Sequence, residues 1–362
     1  GTSVFQSPPC REVRAEALAM ALVSYDDADS TYAGLSSPNT ADRVSALRAV
    51  ASMGEYGAAT MGYASTVAGL IFDSDDDVVL GACEALAAMG DIGAGYADSV
   101  ASMLTSAQEK KRCFAIGALG MMGPSAAQHA VAVKALLSES NPSIRASAVL
   151  ALGSMKDTSM VKDVADCLQD KFPSVVNGAI TALALLGDEG KAYAPDVAKK
   201  LTDSSRDVKT SAVMYFSKFD ELAVKYSDPI IDLLKDDDAT VRQSVLSLFS
   251  SLKDKAGPLL AGTSKLLSST ETGVKAAAAM CIGAVGPEAS SQAAALAPLL
   301  SDSAEDNSQL VMCVAGIEMK VPAGLRIPSC AAASALASIT DSSYAADIAA
   351  MLDSDSMDVK VE

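Results

Sequence analysis

A chain of 362 residues that is half apolar, with 4% aromatic residues and no Trp, must build its core from Ala, Leu, Val and Met. Its formal charge of −17 excludes nucleic acid as a partner, because a phosphate backbone is bound by Lys and Arg that replace its counterions, and it disfavours an anionic membrane surface. No apolar run reaches the roughly 18–20 residues of a membrane-spanning helix, and seven cysteines, an odd number without a C-x-x-C pair, point to a reducing intracellular compartment.

Residues 1–72 read as two diverged copies of a helical unit. Val13-Arg14 with Ala17 and Ala21 marks the first, and the stretch from Asp42 to Gly54 the second. From 73 to 302 the copies become regular. One slot recurs at Val78, Lys111, Ile144, Val175, Val208, Val241 and Val274, at steps of 33 with a single step of 31. A period of 20–50 residues is the mark of a stacked repeat. Apolar residues follow the slot at +4, +8 and +11, as in Ala82, Leu86 and Met89 or Ala212, Phe216 and Phe219. That spacing is one face of an α-helix. The next residue is Gly90, Gly123, Gly187 or Gly286 in four copies, with Pro124 and Pro287 behind two of them, so the helix ends there. A second apolar helix closes in a pair such as Leu136-Leu137 or Leu266-Leu267. Asp170, Asp203, Asp236 and Asp302 stand two residues beyond the last Leu of their copies, placed to cap the next helix. The unit is an αα-hairpin.

Residues 303–330 break the rhythm. The slot falls on Asn307, yet the next apolar helix begins near Pro328, 21 residues on, where Ala332, Ala335, Leu336 and Ile339 take the +4, +7, +8 and +11 places. This reads as a shortened copy whose helix has given way to the turn MKVPAGLRIPS. The turn is either a tolerated deletion or a hinge at Pro322, Gly324 and Pro328 that exposes neighbouring helices. Residues 331–362 form a final copy that stops at Glu362, just inside another helix start at Val359-Lys360. A solenoid needs a polar capping copy, so an end in mid-repeat implies further sequence. The start at Gly1, without a signal-peptide pattern, fits a removed leader or a longer chain.

The pattern L-x-D-(x)4-V-[RK]-x-x-A-x-x-A-L-x-x-[ML]-G is clearest in LTDSSRDVKTSAVMYF and LKDDDATVRQSVLSLF. It resembles the HEAT repeat, in the short form named after phycobilisome lyases, over nearly the whole chain. The resemblance implies an all-α fold, a right-handed α-solenoid (superhelix) of about ten stacked αα-hairpins. With helix axes about 8–10 Å apart, ten such units make a body on the order of 90 Å long. It also implies a ladder of Asp and basic residues linking neighbouring copies. Asp203 with Lys209 and Asp236 with Arg242 match it, while Val79 and Val176 break the column.

The residues of chemistry do not assemble into a site. His129 is the only histidine, expected on an exposed helix start after Pro124. Alone it cannot supply the paired His-Glu motifs of deoxyhypusine hydroxylase, an enzyme built from HEAT repeats. The cysteines lack zinc-ligand spacing. Asp73, Asp75, Asp77 and Glu84 imitate positions 1, 3, 5 and 12 of a calcium loop, but Val78 stands where that loop needs Gly. GALGMMG at 117–123 has no preceding strand, and GDEGK at 187–191 lacks the Walker spacing. No catalytic or metal-ligating residue is assigned, and no cofactor is expected.

What remains is surface. In HEAT arrays the V-[RK] helix lines the concave face. Its outward positions at +2 and +6 are Leu80 and Glu84, Cys113 and Gly117, Ala146 and Leu150, Asn177 and Thr181, Thr210 and Met214, Gln243 and Ser247, and Ala276 and Met280. Glu84 alone among them is charged, while acidic residues crowd the turns at 73–77 and 235–239. Such a face either seats an apolar or helical protein segment whose basic groups meet the acidic rim, or is packed by neighbouring copies. The expected function is a non-enzymatic scaffold or accessory subunit holding a protein partner within a larger assembly, in the cytoplasm or an algal plastid. The alternative is a phycobilin lyase-like protein that handles a bilin. It would need cations for the propionates, and Arg112, Arg145, Lys209, Arg242 and Lys275 are better explained as ladder positions. A transport receptor would require a longer chain.

Overall fold

The computed structural model of the chain describes residues 25–60, 62–304, 309–314, 317–322, 327–339 and 342–350. The fold is an all-α solenoid carrying a two-stranded β-hairpin, and it divides into two units, Gly1–Gly190 and Lys191–Glu362. The first helix of each αα-hairpin sets the frame. In the first unit these are α1 (Thr40–Thr60, broken where Gly54 takes φ 65°), α2 (Asp76–Ala88), α3 (Glu109–Met122), α4 (Pro142–Met155) and α5 (Pro173–Leu185). The second unit has α6 (Arg206–Phe216), α7 (Ala239–Leu252), α8 (Thr272–Val285) and α9 (Pro328–Ser338). Within its unit each packs on the next, backed by short second helices such as Ala130–Ala135 and Gly257–Lys265. The first diverged copy around Val13, the restart at Val359 and the slot at Asn307 lie outside the described residues.

The slot, +4 and +8 positions form the core: Val78, Ala82 and Leu86, and likewise Val208, Ala212 and Phe216, are fully buried. Small residues set the spacing between helices. A Cβ on Gly153 of α4 would stand 2.4 Å from the Cα of Ala182 on α5, and one on Gly283 of α8 would stand 2.7 Å from the Cα of Ala335 on α9. This accounts for a core rich in Ala and poor in aromatics.

The predicted stops are in place. Gly90, Gly123, Gly187 and Gly286 all take positive φ. At the same position two other copies force lysines into that region, Lys156 at φ 54° and Lys253 at φ 50°. Lys253 pairs this with ψ −123°, a corner suited to Gly alone. Lys253→Gly is therefore expected to raise stability by about 1 kcal/mol, read as a higher urea midpoint at constant slope.

Two expectations about the turns need correction. The Asp column does not cap the helices; the capping side chains of the first helices are Asn39, Asp75, Asn141 and Asp238, which accept from amides of the first turn. Asp170, Asp203, Asp236 and Asp302 instead bond the amide two residues on, those of Phe172, Ser205, Asp238 and Ala304, closing an Asx turn ahead of the helix. The ladder is also offset by one copy. The observed pairs are Arg43–Asp73, Arg112–Glu139, Arg145–Asp170, Lys209–Asp236 and Lys275–Asp302, each cation reaching forward to the next copy's turn. Arg145 bonds Asp170 through two nitrogens at 2.8 and 3.0 Å and ties its own turn through the carbonyls of Glu139 and Ser140. Lysine, a point charge, cannot hold both turns in this planar way.

The irregular segment is likewise not a shortened copy. After Asp302 the chain forms β1 (Gln309–Val314) and β2 (Ile317–Pro322), paired antiparallel from Gln309↔Pro322 to Val314↔Ile317, and returns as α9. The Ser329 amide donates to the Asp302 carbonyl at 3.1 Å, so the segment leaves and re-enters at one turn. It is an insertion into the connection before α9. Pro328 opens α9 as its first residue, Pro322 ends β2, and Gly324 lies outside the described residues.

Candidate functional site

The slot, +4 and +8 residues point into the core, so the residues two and six beyond the slot face away from it. At +6, Glu84, Gly117, Leu150, Thr181, Met214 and Ser247 are all exposed, and at +2 Leu80, Cys113, Ala146, Asn177, Thr210 and Gln243 are half-buried. This face is therefore surface on α2 through α7 and is not covered by neighbouring copies. Met280 on α8 is half-buried.

Large apolar side chains stand open on this face. In the first unit Met121 on α3 is 59% exposed, Leu150 on α4 40% and Leu185 on α5 41%; in the second, Met214 on α6 is 63% exposed. Met121 and Leu185 sit at +10 and are absent from the sequence-based set. One further helical turn beyond +6 leads to them. The hydroxyls on the face are spent on their own helices: Thr181, Thr210 and Ser247 donate to the carbonyls of Asn177, Asp207 and Gln243. The exposed Met and Leu side chains therefore supply van der Waals surface beside the Glu84 carboxylate and the amides of Asn177 and Gln243.

The acidic turns are largely committed to the fold. Asp73 pairs with Arg43, Asp75 and Asp238 cap helices, Asp76 pairs with Lys110 and Asp236 with Lys209. Asp77 and Asp237 stand exposed. The calcium-like spacing at Asp73, Asp75, Asp77 and Glu84 therefore scatters into separate roles. Among the described residues no group of three or more His, Cys, Asp or Glu is arranged to hold a metal ion.

His129 is more enclosed than the sequence suggests, its side chain 14% exposed, with Nε2 3.1 Å from Asp98 Oδ1. Burial pushes the Cys83 thiol up to about 12. Burial, then the neighbouring Asp170 and Asp166 carboxylates, push Cys167 up to about 11. Neither thiol is a nucleophile near neutrality. Cys167 borders an open cleft of about 370 Å³ between second helices, where Lys134 pairs with Asp163 at 2.8 Å beside Asp166 and Asp170. No helix among the described residues is long and apolar enough to cross a membrane.

The family model for HEAT repeats matches residues 97–184 and again 129–217. No curated protein matches the chain by sequence. Among solved structures, a chain of the Kap95:Nup1 complex is similar at 14% identity and a TM-score of 0.61, over 95% of this chain and 50% of that one. A chain from a structure of Kap95p with RanGDP is similar at 14% identity and a TM-score of 0.59, over 83% and 47%. The chain spans about half the length of each. At these identities the likeness is one of fold, and it agrees with the helix order and the buried slot positions: residues 97–217 match HEAT repeats, and the fold is an α-solenoid of HEAT-like hairpins.

Proposed function

We propose that the chain is a non-enzymatic scaffold or accessory subunit of a larger assembly, and that the outward face of its first helices binds an apolar segment of a protein partner. The observation that carries this is the exposed apolar set Met121, Leu150 and Leu185 in the first unit, with Met214 exposed at the equivalent place in the second, on helices whose opposite faces are buried. Large exposed side chains of this kind mark interaction surfaces when they share one face. The similar Kap95 chains come from complexes with RanGDP and Nup1, so this fold is used elsewhere to hold proteins. Anchoring falls to Leu150, Met214 and Met280, with Leu80, Cys113, Asn177, Thr181, Thr210, Gln243 and Ser247 as lining and Glu84 as the one charge.

The phycobilisome-type reading finds no support in the basic residues. Arg112, Arg145, Lys209 and Lys275 are ion-paired in the ladder, and Arg242 bonds the carbonyls of Asp236 and Asp237. A bilin carboxylate would have to break these pairs. Cys83, Cys113, Cys167, Cys281 and Cys330 are in the thiol form, three of them buried, which favours a reducing compartment, cytoplasm or plastid.

The test is affinity purification from the source organism with mass spectrometry, run on wild type and on Leu150→Glu with Met214→Glu. Two charges on exposed positions leave the fold intact but place carboxylates against the bound apolar segment. A stoichiometric set of proteins is expected with wild type and at least ten-fold less of it with the double variant, at equal helicity. Equal recovery from both rejects the face.

A further inference from the structure

This inference rests on reading the outward face as protein-binding, and concerns how that face is regulated in the second unit. The step from the slot at Val274 to Pro328 is 54 residues, a surplus of 21 over the regular 33. The surplus holds the β1–β2 hairpin, and β1 runs beside α7, two first helices back from α9. A strand thus packs beside α7, to an extent that no other first helix among the described residues shows.

The burial pattern shows where it lies. The residue before the slot is exposed on α2 through α6, at Asp77, Lys110, Ser143, Ser174 and Asp207. It is half-buried on α7 and α8, at Thr240 and Gly273. The +2 residue is half-buried from α2 to α7 but wholly buried on α8, at Ala276. Ala146 occupies the same place on α4 and is half-buried, so side-chain size is not the cause. On α7 the extra cover falls at the N-terminal end, with Ser247 at +6 still exposed, and on α8 it takes in both Ala276 at +2 and Met280 at +6. The register pairs Leu310 with Val321, Met312 with Met319 and Val314 with Ile317, so apolar residues stand opposite one another at alternate positions. A lone two-stranded hairpin is marginal in water and needs a helix to pack against, and β1 has α7 beside it.

We propose that the hairpin is an occupant in cis of the second unit's outward face, at the N-terminal end of α7 and along α8. An external apolar segment gains that part only by displacing the hairpin, while the first unit's face stays open. Because the insertion leaves and returns at the Asp302–Ser329 hydrogen bond, it can be removed without cutting a repeat. Deleting residues 305–325 joins Ala304 to Arg326 and restores a 33-residue step from Val274 to Pro328.

The experiment compares Ala276→Cys in the full chain and in the 305–325 deletion, by maleimide labelling and peptide mapping. The thiol at 276 is expected to react at least ten-fold faster in the deletion, while Cys281, buried on the same helix, stays unlabelled and reports an intact fold. A synthetic peptide of residues 305–326 added to the deletion variant should slow the reaction again. If the deletion does not fold, Leu310→Asp with Met312→Asp in the full chain decides, and should give the same acceleration. Equal rates with and without the hairpin overturn the proposal. The labelling needs no partner, so its failure is distinct from failure of the face itself, which the Leu150 and Met214 variants read.

Discussion

Asp170→Ala is expected to destabilise the first unit by about 3 kcal/mol, more than the loss of an ordinary surface ion pair. Arg145 is 8% exposed, and its guanidinium is held by both Asp170 oxygens. Removing the carboxylate leaves a buried cation with the carbonyls of Glu139 and Ser140 and the Phe172 ring, whose centre is 5.5 Å from the guanidinium carbon. Breaking a buried pair from one side costs about 3–5 kcal/mol, and those two carbonyls keep the loss at the lower end. Removing both partners, as Asp170→Ala with Arg145→Met, should recover most of it, because no charge is then stranded. Urea titration of the three variants distinguishes this from simple loss of a turn, which the second substitution would not repair.

The same rung has a pH signature. The hydrogen bonds from Arg145 hold the Asp170 carboxyl below its ordinary value, and that from Lys275 does the same for Asp302. A carboxyl depressed in the folded state adds stability that is fully present above its unfolded value, about 4, and is lost as pH falls through the folded one. Stability should therefore decline below about pH 4, with a shallower decline in Asp170→Asn. An acid limb identical to wild type in that variant would remove the ladder from the explanation.

The second large effect concerns glycine, and its sign depends on the neighbour. Gly to Ala inside a helix ordinarily gains up to about 1 kcal/mol. Gly117 on α3 is exposed, with nothing within 4 Å of where a methyl would sit, so Gly117→Ala should be stabilising by that amount. Gly153 on α4 is the opposite case, because a methyl there meets backbone and Cβ of Ala182 at 2.4 and 2.5 Å. Backbone cannot rotate away as a side chain can, so α4 and α5 must separate, at a cost of about 1–3 kcal/mol beyond the lost propensity gain. Opposite shifts of the urea midpoint for the two variants would confirm that close approach sets the spacing of this unit. A stabilising Gly153→Ala would refute it.

The slot, the +4 and +8 core and the glycine stops are legible in the letters because each depends on residues within one helix. The ladder is not, because it joins two copies, and reading Asp236 with Arg242 pairs residues of the same copy. The offset does leave a trace. Val79 lacks the cation and Ser106, one copy on, lacks the acid, although Arg242 before Ser269 and Val176 before Asp203 break the match. Counting from Asn307 hides the hairpin, because it gives a deficit. Counted from Val274 the same residues are a surplus, and the alternation of IEMKVP beside the β-rich LVMCV is a strand signal. On the outward face the +6 position leads to Leu150 and Met214, but Met121 and Leu185 lie one turn further, beyond the reach of the +2 and +6 pattern.

The forward reach of the ladder gives the array a polarity that matters for cutting it into pieces. An acid at the head of a fragment is already content, since Asp170 keeps the amide of Phe172 whether or not Arg145 precedes it. A cation at the tail is not, since a fragment ending after α4 would strand Arg145 in a buried place with its partner gone. Truncation from the amino end is thus chemically cheap and truncation from the carboxyl end is not, so a viable fragment should finish beyond an Asx turn that receives the last rung.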